Sequence, residues 1–372
     1  MNINEVYTPA IIVDLDAFEH NLKKYADEAE KYGKQIWPML KTHKSIEMAK
    51  MQAEAGATGF LCGTLDEAEA LCEAGFDNLM YAYPVATDVS VKRVVELSKK
   101  CNFIVRIDGL DAAKAIDAGA AAAGVKVNYT IIIDSGLHRF GVKPEAMAEF
   151  AEAMKQFENL TFKGLSTHPG HVYAAGSKED LPKYVADERA AAKAAVEAVK
   201  SVGLEPEIVS SGSTPTFWGS IDDETIGIFH PGNYVFNDAI QMSTETATEE
   251  ECSLYILASV ISHPSEDLYI CDAGAKCLGL DQGAHGNSAI VGFGRVVGRP
   301  ELIVSGLSEE VGKLKVKEGE TTTLQVGDQI RMIPNHSCSS ANLTAYYVGV
   351  RGEEVERLIS VDIRGNSTNK NI

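Results

Sequence analysis

The feature that most limits how this chain can fold is an alternation that begins near residue 35. Short apolar runs, bounded by Gly, Pro or polar residues, are each followed by a stretch rich in Ala, Glu and Lys. The runs fall at 35–41, 58–62, 78–82, 102–107, 127–134, 161–167, 206–210 and 225–229. The helical stretches between them include 45–55, 65–74, 88–100, 110–122, 144–157 and 180–202. A strand that is apolar throughout is buried on both faces, and a helix after each strand returns the chain for a parallel neighbour. Eight such units over about two hundred residues predict an α/β fold built as a (β/α)8 TIM barrel. An open doubly wound sheet would usually carry a Gly-rich fingerprint at its first strand–helix turn, and none is present there.

Near residue 245 the texture changes. The Ala/Glu/Lys blocks stop, and shorter strand-like runs follow at 253–262, 268–272, 302–304, 321–324, 329–333 and 344–350, punctuated by Gly, Asp and Pro. This pattern predicts a C-terminal all-β domain. The expected division is a barrel over 15–245 and a β domain over 246–372, with the N-terminal segment 1–14 and its apolar strand 10–14 joining the latter. Asp16 is expected to cap a helix reaching about Tyr32.

Charge narrows the partners. The formal net charge is −19, which argues against nucleic acid and anionic membranes. An anionic ligand must then be held by local groups against the global field. No apolar run has the length of a membrane span, and the first residues do not read as a secretory signal. Seven cysteines, without disulfide-framework spacing, predict reduced thiols and a cytoplasmic setting.

In a barrel of this kind ligands bind where strands end and β-to-α loops begin. The first such loop reads Lys41-Thr42-His43-Lys44. A lysine at the exit of a buried strand is costly unless it is used or reaches solvent. Lysine amines in partly dry sites form Schiff bases with carbonyl cofactors. Taken alone, this loop reads more readily as a solvated turn with ordinary surface lysines. The fifth strand exits into Asp134-Ser135-Gly136-Leu137-His138-Arg139-Phe140-Gly141, and the sixth into Thr167-His168-Pro169-Gly170-His171-Val172-Tyr173. His168, His171 and Tyr173 are candidates for ring stacking, hydrogen bonding or proton exchange. The seventh exit carries Gly212-Ser213-Thr214 and the eighth Gly232-Asn233-Tyr234, the corner where such barrels recurrently hold phosphate. Backbone amides there would bind an anion despite the net charge. Late in the β domain, His336 and Cys338 stand two apart in a segment read as extended, which would point both to one side. On this motif alone a buried Cys beside a capped His is the favoured reading; as ligands, the two would suit an open, catalytic metal site rather than a closed structural one.

Taken in order, these motifs resemble the fold-type III pyridoxal-phosphate enzymes, relatives of alanine racemase. They look most like the branch that holds D-threonine aldolase and D-serine dehydratase. The resemblance also rests on Thr8-Pro9-Ala10, Asp14-Leu15-Asp16, Thr64-Leu65-Asp66-Glu67-Ala68, Asp272-Ala273-Gly274 and Pro334-Asn335-His336-Ser337-Cys338. It implies an alanine racemase-like barrel with a β domain, working as a homodimer on a small D-configured β-hydroxy amino acid. It implies pyridoxal 5'-phosphate as cofactor, with Lys41 rather than Lys44 as the Schiff-base lysine. Arg139, Tyr173, Gly212, Ser213, Thr214, Gly232, Asn233 and Tyr234 fall at cofactor-binding positions, and His168 and His171 at positions for a base or proton relay. His336 and Cys338 match the ligands of a divalent metal, zinc first, with manganese or magnesium as other occupants.

The chain also departs from the family pattern. Trp37-Pro38-Met39 stands where Arg-Pro-His is often found, and a Trp-Pro segment usual near the C-terminus is missing. The strand-five motif looks more like the racemase form. The other readings are therefore a metal-independent racemase, needing a second base such as Tyr346 or Tyr347, and a non-catalytic pyridoxal-phosphate-binding protein.

Overall fold

A computed structural model describes residues 1–283, 287 and 289–365. The end of the expected β domain, 366–372, therefore lies outside the described residues. The first strand, β1 (Ala10–Asp14), is followed directly by a helix over Leu15–Lys31. Its cap is Asp14 rather than Asp16: one Asp14 oxygen accepts from the amides of Asp16 and Ala17. The strand ends at Asp14 as expected, but the helix begins at once, two residues earlier than the sequence suggests, so the last strand residue doubles as the N-cap.

The barrel is formed by β2 (Gln35–Ile36), β3 (Phe60–Cys62), β4 (Leu79–Tyr81), β5 (Phe103–Ile107), β6 (Val127–Ile132), β7 (Leu160–Ser166), β8 (Ile208–Ser211) and β9 (Ile228–Phe229). All pair in parallel in the order β2-β9-β8-β7-β6-β5-β4-β3. A parallel bridge between Met39 and Leu61 closes the ring. The first strand is shorter than its apolar run, because Pro38 has no N–H to donate and Leu40–Thr42 already form a 3-10 turn. Ser45, Thr64 and Thr87 accept a backbone N–H at the start of the helices that follow β2, β3 and β4. One apolar cluster fills the barrel axis, with Trp37, Leu61, Met80, Ile104 and Ile228. A larger cluster packs strands against the surrounding helices. At Gly164 any Cβ would sit 1.8 Å from the Ile208 carbonyl oxygen, so β7 and β8 can approach only without a side chain there.

The second sheet contains β10 (Leu254–Ser265), β11 (Leu268–Cys271), β12 (Gly294–Val296), β13 (Leu302–Leu307), β14 (Gly312–Val316), β15 (Gln329–Pro334), β16 (Tyr346–Arg351) and β17 (Glu354–Ser360). β1 lies in this sheet, antiparallel to β10 and parallel to β16. The expected strand at 321–324 is an irregular segment instead. Its threonines are spent on local bonds: Thr322 donates to Glu301 and accepts from the Leu324 amide. No helix among the described residues is long and apolar enough to cross a membrane.

Candidate active site

A cavity opens at the C-terminal end of the barrel. Its wall includes Lys41, Thr42, Arg106, Asp134, Arg139, Thr167, His168, Tyr173, Gly212, Ser213, His230, Gly232 and Asn233, together with His336 and Cys338 from the β domain. The lysine turn and the late His–Cys pair, far apart in sequence, thus face one space.

Lys41 is held by what surrounds its backbone. Asn342 donates to its carbonyl at 3.2 Å. Gly63 leaves room beside it, since a Cβ there would stand 2.9 Å from the Lys41 Cβ. Lys44 is turned away and buried, paired with Glu67 at 2.8 Å. His43 also faces the core. It accepts from the Ser45 amide through Nδ1, so its Nε2 donates to Gln52.

The strand-seven and strand-eight exits form a cradle. The N–H groups of Gly212, Ser213, Gly232 and Asn233 find no acceptor among the described residues. A Cβ on Gly212 would meet the His230 amide nitrogen at 2.5 Å, and one on Gly232 would meet Thr42 Oγ1 at 3.0 Å. Unclaimed amides in so tight a fold are a ready receptor for a phosphate. Thr214 lies beneath them: its Oγ1 accepts from the Tyr234 amide. The Tyr234 phenol points away from the cavity, against the expectation of a cofactor contact. It accepts from Gln52 Nε2 and packs on Tyr25, so only its backbone serves this corner. Glu188, fully buried, receives the hydroxyls of Ser211 and Ser220 behind the loop, and burial raises its pKa.

His168 faces the cavity and donates Nδ1–H to the Gly212 carbonyl. Burial, and then the charge on Lys41, pull its pKa down to about 3. His171 does not line the cavity. It sits behind the strand-five loop, where a Cβ on Gly136 would be 2.9 Å from its Nε2, with its ring edge-on to Tyr184. Tyr173 lines the wall, and burial raises its phenol pKa. Arg139 stands at the rim over the rings of Phe140 and Tyr83.

Reasoning from sequence missed two groups. Arg106 lies on the barrel floor, 2% exposed, with Nη2 unpartnered and Nε against Met80 sulfur. Burial, with Arg139 nearby, draws its pKa down to about 9. Asp238 is fully buried and lies 3.3 Å from His336 Nδ1. The first was hidden inside an apolar run; the second carried the signal of a helix cap, which it also is.

The His336–Cys338 segment is not extended throughout. β15 ends at Pro334, His336 is extended, and a helix over Ser337–Ala341 begins at once, which brings both side chains to the cavity. Burial would raise the Cys338 thiol, but His336 beside it and the Thr42 hydroxyl hold it below its ordinary value. Burial would lower the His336 imidazole, yet Cys338 and Asp238 hold it well above its ordinary value. A thiolate and an imidazole so disposed fit a divalent metal. Among the described residues no group of three or more His, Cys, Asp or Glu is placed to hold a metal. Tyr347, a candidate second base, donates its hydroxyl to the carbonyls of His43 and Ala341, outside the cavity wall.

Comparison with known proteins follows the same division. Residues 13–238 match the family model described as alanine racemase, N-terminal domain, and residues 253–350 that of a putative serine dehydratase domain. The chain is 32% identical to a 3-hydroxy-D-aspartate aldolase of Paracoccus denitrificans (strain Pd 1222), over 98% of this chain and 94% of that protein. Its fold is similar to the crystal structure of D-threonine aldolase from Filomicrobium marinum, with a TM-score of 0.90, 27% identity, and 98% and 97% of the two chains covered. It is also similar to D-threo-3-hydroxyaspartate dehydratase from Delftia sp. HT23, with a TM-score of 0.91, 27% identity, and 99% and 100% covered. That dehydratase is known as well in a cysteine-to-alanine variant in the metal-free form. With its barrel matched over 226 residues and its β domain matched separately, this chain belongs to the alanine racemase N-terminal domain family, in the form that carries a serine dehydratase domain.

Proposed function

We propose that this chain is a lyase dependent on pyridoxal 5'-phosphate and a divalent metal, acting on a D-configured β-hydroxy amino acid. The observation that carries this reading is the cavity that receives Lys41 from the barrel and His336 with Cys338 from the β domain. Similar proteins named as aldolases and dehydratases of such amino acids support it.

Lys41 Nζ would hold the cofactor's aldehyde carbon. The amides of Gly212, Ser213, Gly232 and Asn233 would hold its phosphate, with Thr214 bracing the loop from below. Arg139 would meet the polar edge of the ring, and Tyr173 its side. Once bound, the cofactor supplies a sink for the electron pair left at the substrate α-carbon. A metal on His336 and Cys338 supplies Lewis acidity at the β-hydroxyl, which serves either loss of hydroxide or carbon–carbon cleavage. A thiolate ligand favours zinc over magnesium or manganese.

Proton transfer at the substrate α-carbon would fall to Lys41 Nζ. His168, neutral at physiological pH, fixes the Gly212 carbonyl and so orients the phosphate loop. His171, outside the wall, takes no direct part. Apolar Met39 and Leu61 and the ring of Phe140 limit water in the cavity. The seven cysteines, all unpaired, suit a reducing, cytoplasmic compartment, and a homodimer is the expected assembly.

The test is to incubate purified, cofactor-loaded protein with D- and L-serine, threonine and 3-hydroxyaspartate, with and without EDTA. Oxo-acid with ammonia, glycine with aldehyde, and inverted amino acid are assayed separately. Lyase products from a D-substrate, abolished by EDTA, are expected. Chelator-resistant inversion as the sole activity would overturn the reading in favour of a racemase.

A further inference from the structure

We propose that Asp238 is the positioning residue of the metal pair and ties that pair to the phosphate cradle, so that metal and cofactor bind cooperatively. This rests on the metal and cofactor sites proposed above.

Asp238 is fully buried, and its carboxylate gathers three segments of chain. Oδ1 accepts from the Gln241 amide at 3.0 Å. Oδ2 accepts from Asn233 Nδ2 at 2.5 Å and from the Ser337 amide at 2.9 Å, and it lies 3.3 Å from His336 Nδ1. No Lys or Arg pairs with it among the described residues. Capping two short helices requires only a neutral acceptor, which Asn or Ser would supply. An acid at a position where a neutral acceptor would serve both caps points to a further use of the carboxylate.

The contact with His336 supplies that use. Among the described residues Nδ1 has no hydrogen-bond partner as it stands, and a carboxylate 3.3 Å away is the acceptor at hand for its proton, an arrangement that leaves the Nε2 lone pair free for a metal. Asn233 supplies the link to the cradle. Its backbone N–H is one of the four unclaimed amides, its side chain is held by Asp238, and the same Nδ2 lies 3.8 Å from Cys338 Sγ. A phosphate that fixes Asn233 therefore also steadies Asp238 and His336. A metal that fixes His336 steadies Asn233 through the same carboxylate, and thermodynamic linkage makes the two effects equal.

The experiment measures zinc affinity by competition with a chromophoric chelator, with and without pyridoxal 5'-phosphate, in the unaltered protein and in Asp238→Asn. The cofactor is expected to tighten zinc binding by about fivefold or more in the unaltered protein. Asp238→Asn, which keeps the shape and the capping acceptor, is expected to weaken zinc by roughly 10- to 100-fold and to abolish the cofactor's effect. Unchanged zinc affinity in the variant, or a cofactor effect that survives in it, overturns the proposal and leaves the metal site intact. An unaltered protein that binds no zinc, manganese or magnesium overturns the metal site as well. Should the variant fail to fold, the 15N-histidine spectrum of the unaltered zinc-loaded protein decides. His336 with Nδ1 protonated and Nε2 on the metal supports the proposal, and metal on Nδ1 overturns it.

Discussion

Within four residues, the Lys41–Lys44 turn gives two lysines opposite fates. Lys41 reaches the cavity, whereas Lys44 is spent on a buried ion pair. Lys41→Ala is therefore expected to remove the cofactor's visible absorbance together with activity, while Lys44 variants keep a cofactor-bound species; spectra of the purified variants distinguish the two. His43, between them, makes a pH prediction. Burial holds its pKa at about 4 rather than 6.5, and its neutral form alone fits, with Nδ1 accepting from Ser45 and Nε2 donating to Gln52. A folded value depressed below the unfolded one contributes stability that is complete above pH 6.5 and is lost as pH falls toward 4. The loss amounts to roughly 3 kcal/mol in all. Thermal unfolding between pH 7.5 and 4 should show a slope to which His168 also contributes, and His43→Gln should reduce it by this share. A variant with the full slope would refute the assignment to His43. The sequence made Lys41 legible because a charged residue at the end of an apolar strand stands out. Arg106 was not legible, because strand alternation in a barrel turns it inward at a position that sequence alone cannot tell from an outward one.

At the scale of elements, the lysine turn is braced by the helix that follows β3 and by the segment beyond β17. Glu67 pairs with Lys44 at 2.8 Å and also accepts from the Gly63 amide, the residue that makes room for Lys41. Beyond β17, Ile363 donates to the Lys44 carbonyl, Lys44 Nζ donates to the Gly365 carbonyl, and Asp362 accepts from the Ile46 amide. Breaking a buried ion pair from one side strands the other charge. Glu67→Gln or Lys44→Met alone is expected to cost ~3–5 kcal/mol in urea unfolding of the cofactor-free protein, and the double change to Met at both sites to cost much less. Equal losses in single and double variants would show that packing, not charge, sets the effect. Strand β7 gives a second case: Gly164→Ala would drive a methyl into the Ile208 carbonyl and is expected to destabilise by more than about 4 kcal/mol, again read by urea unfolding. Most barrel elements were legible from apolar runs and helix caps. The boundaries that moved did so for local reasons, as with Pro38 at β2 and the threonine bonds at 321–324.

At the scale of the whole molecule, the β domain is part of the site, since two of its side chains complete a cavity at the barrel mouth. Dialysis against a chelator, or His336→Ala, is accordingly expected to abolish β-chemistry while the cofactor's absorbance persists; retained lyase activity would refute a metal role for the pair. By itself, the sequence determined the parallel barrel, the change to β structure near residue 245 and the lysine at the first strand exit. These depend on hydrophobic periodicity and on loops directly after strands, which are local properties. Only the tertiary structure decided that His336 and Cys338 meet Lys41, that Asp238 stands behind His336, that Arg106 lies on the barrel floor, and that His171 and the Tyr234 ring turn away. Those outcomes depend on how two sheets dock and on which face each side chain presents, and no spacing along the chain encodes the distance between residues some three hundred positions apart.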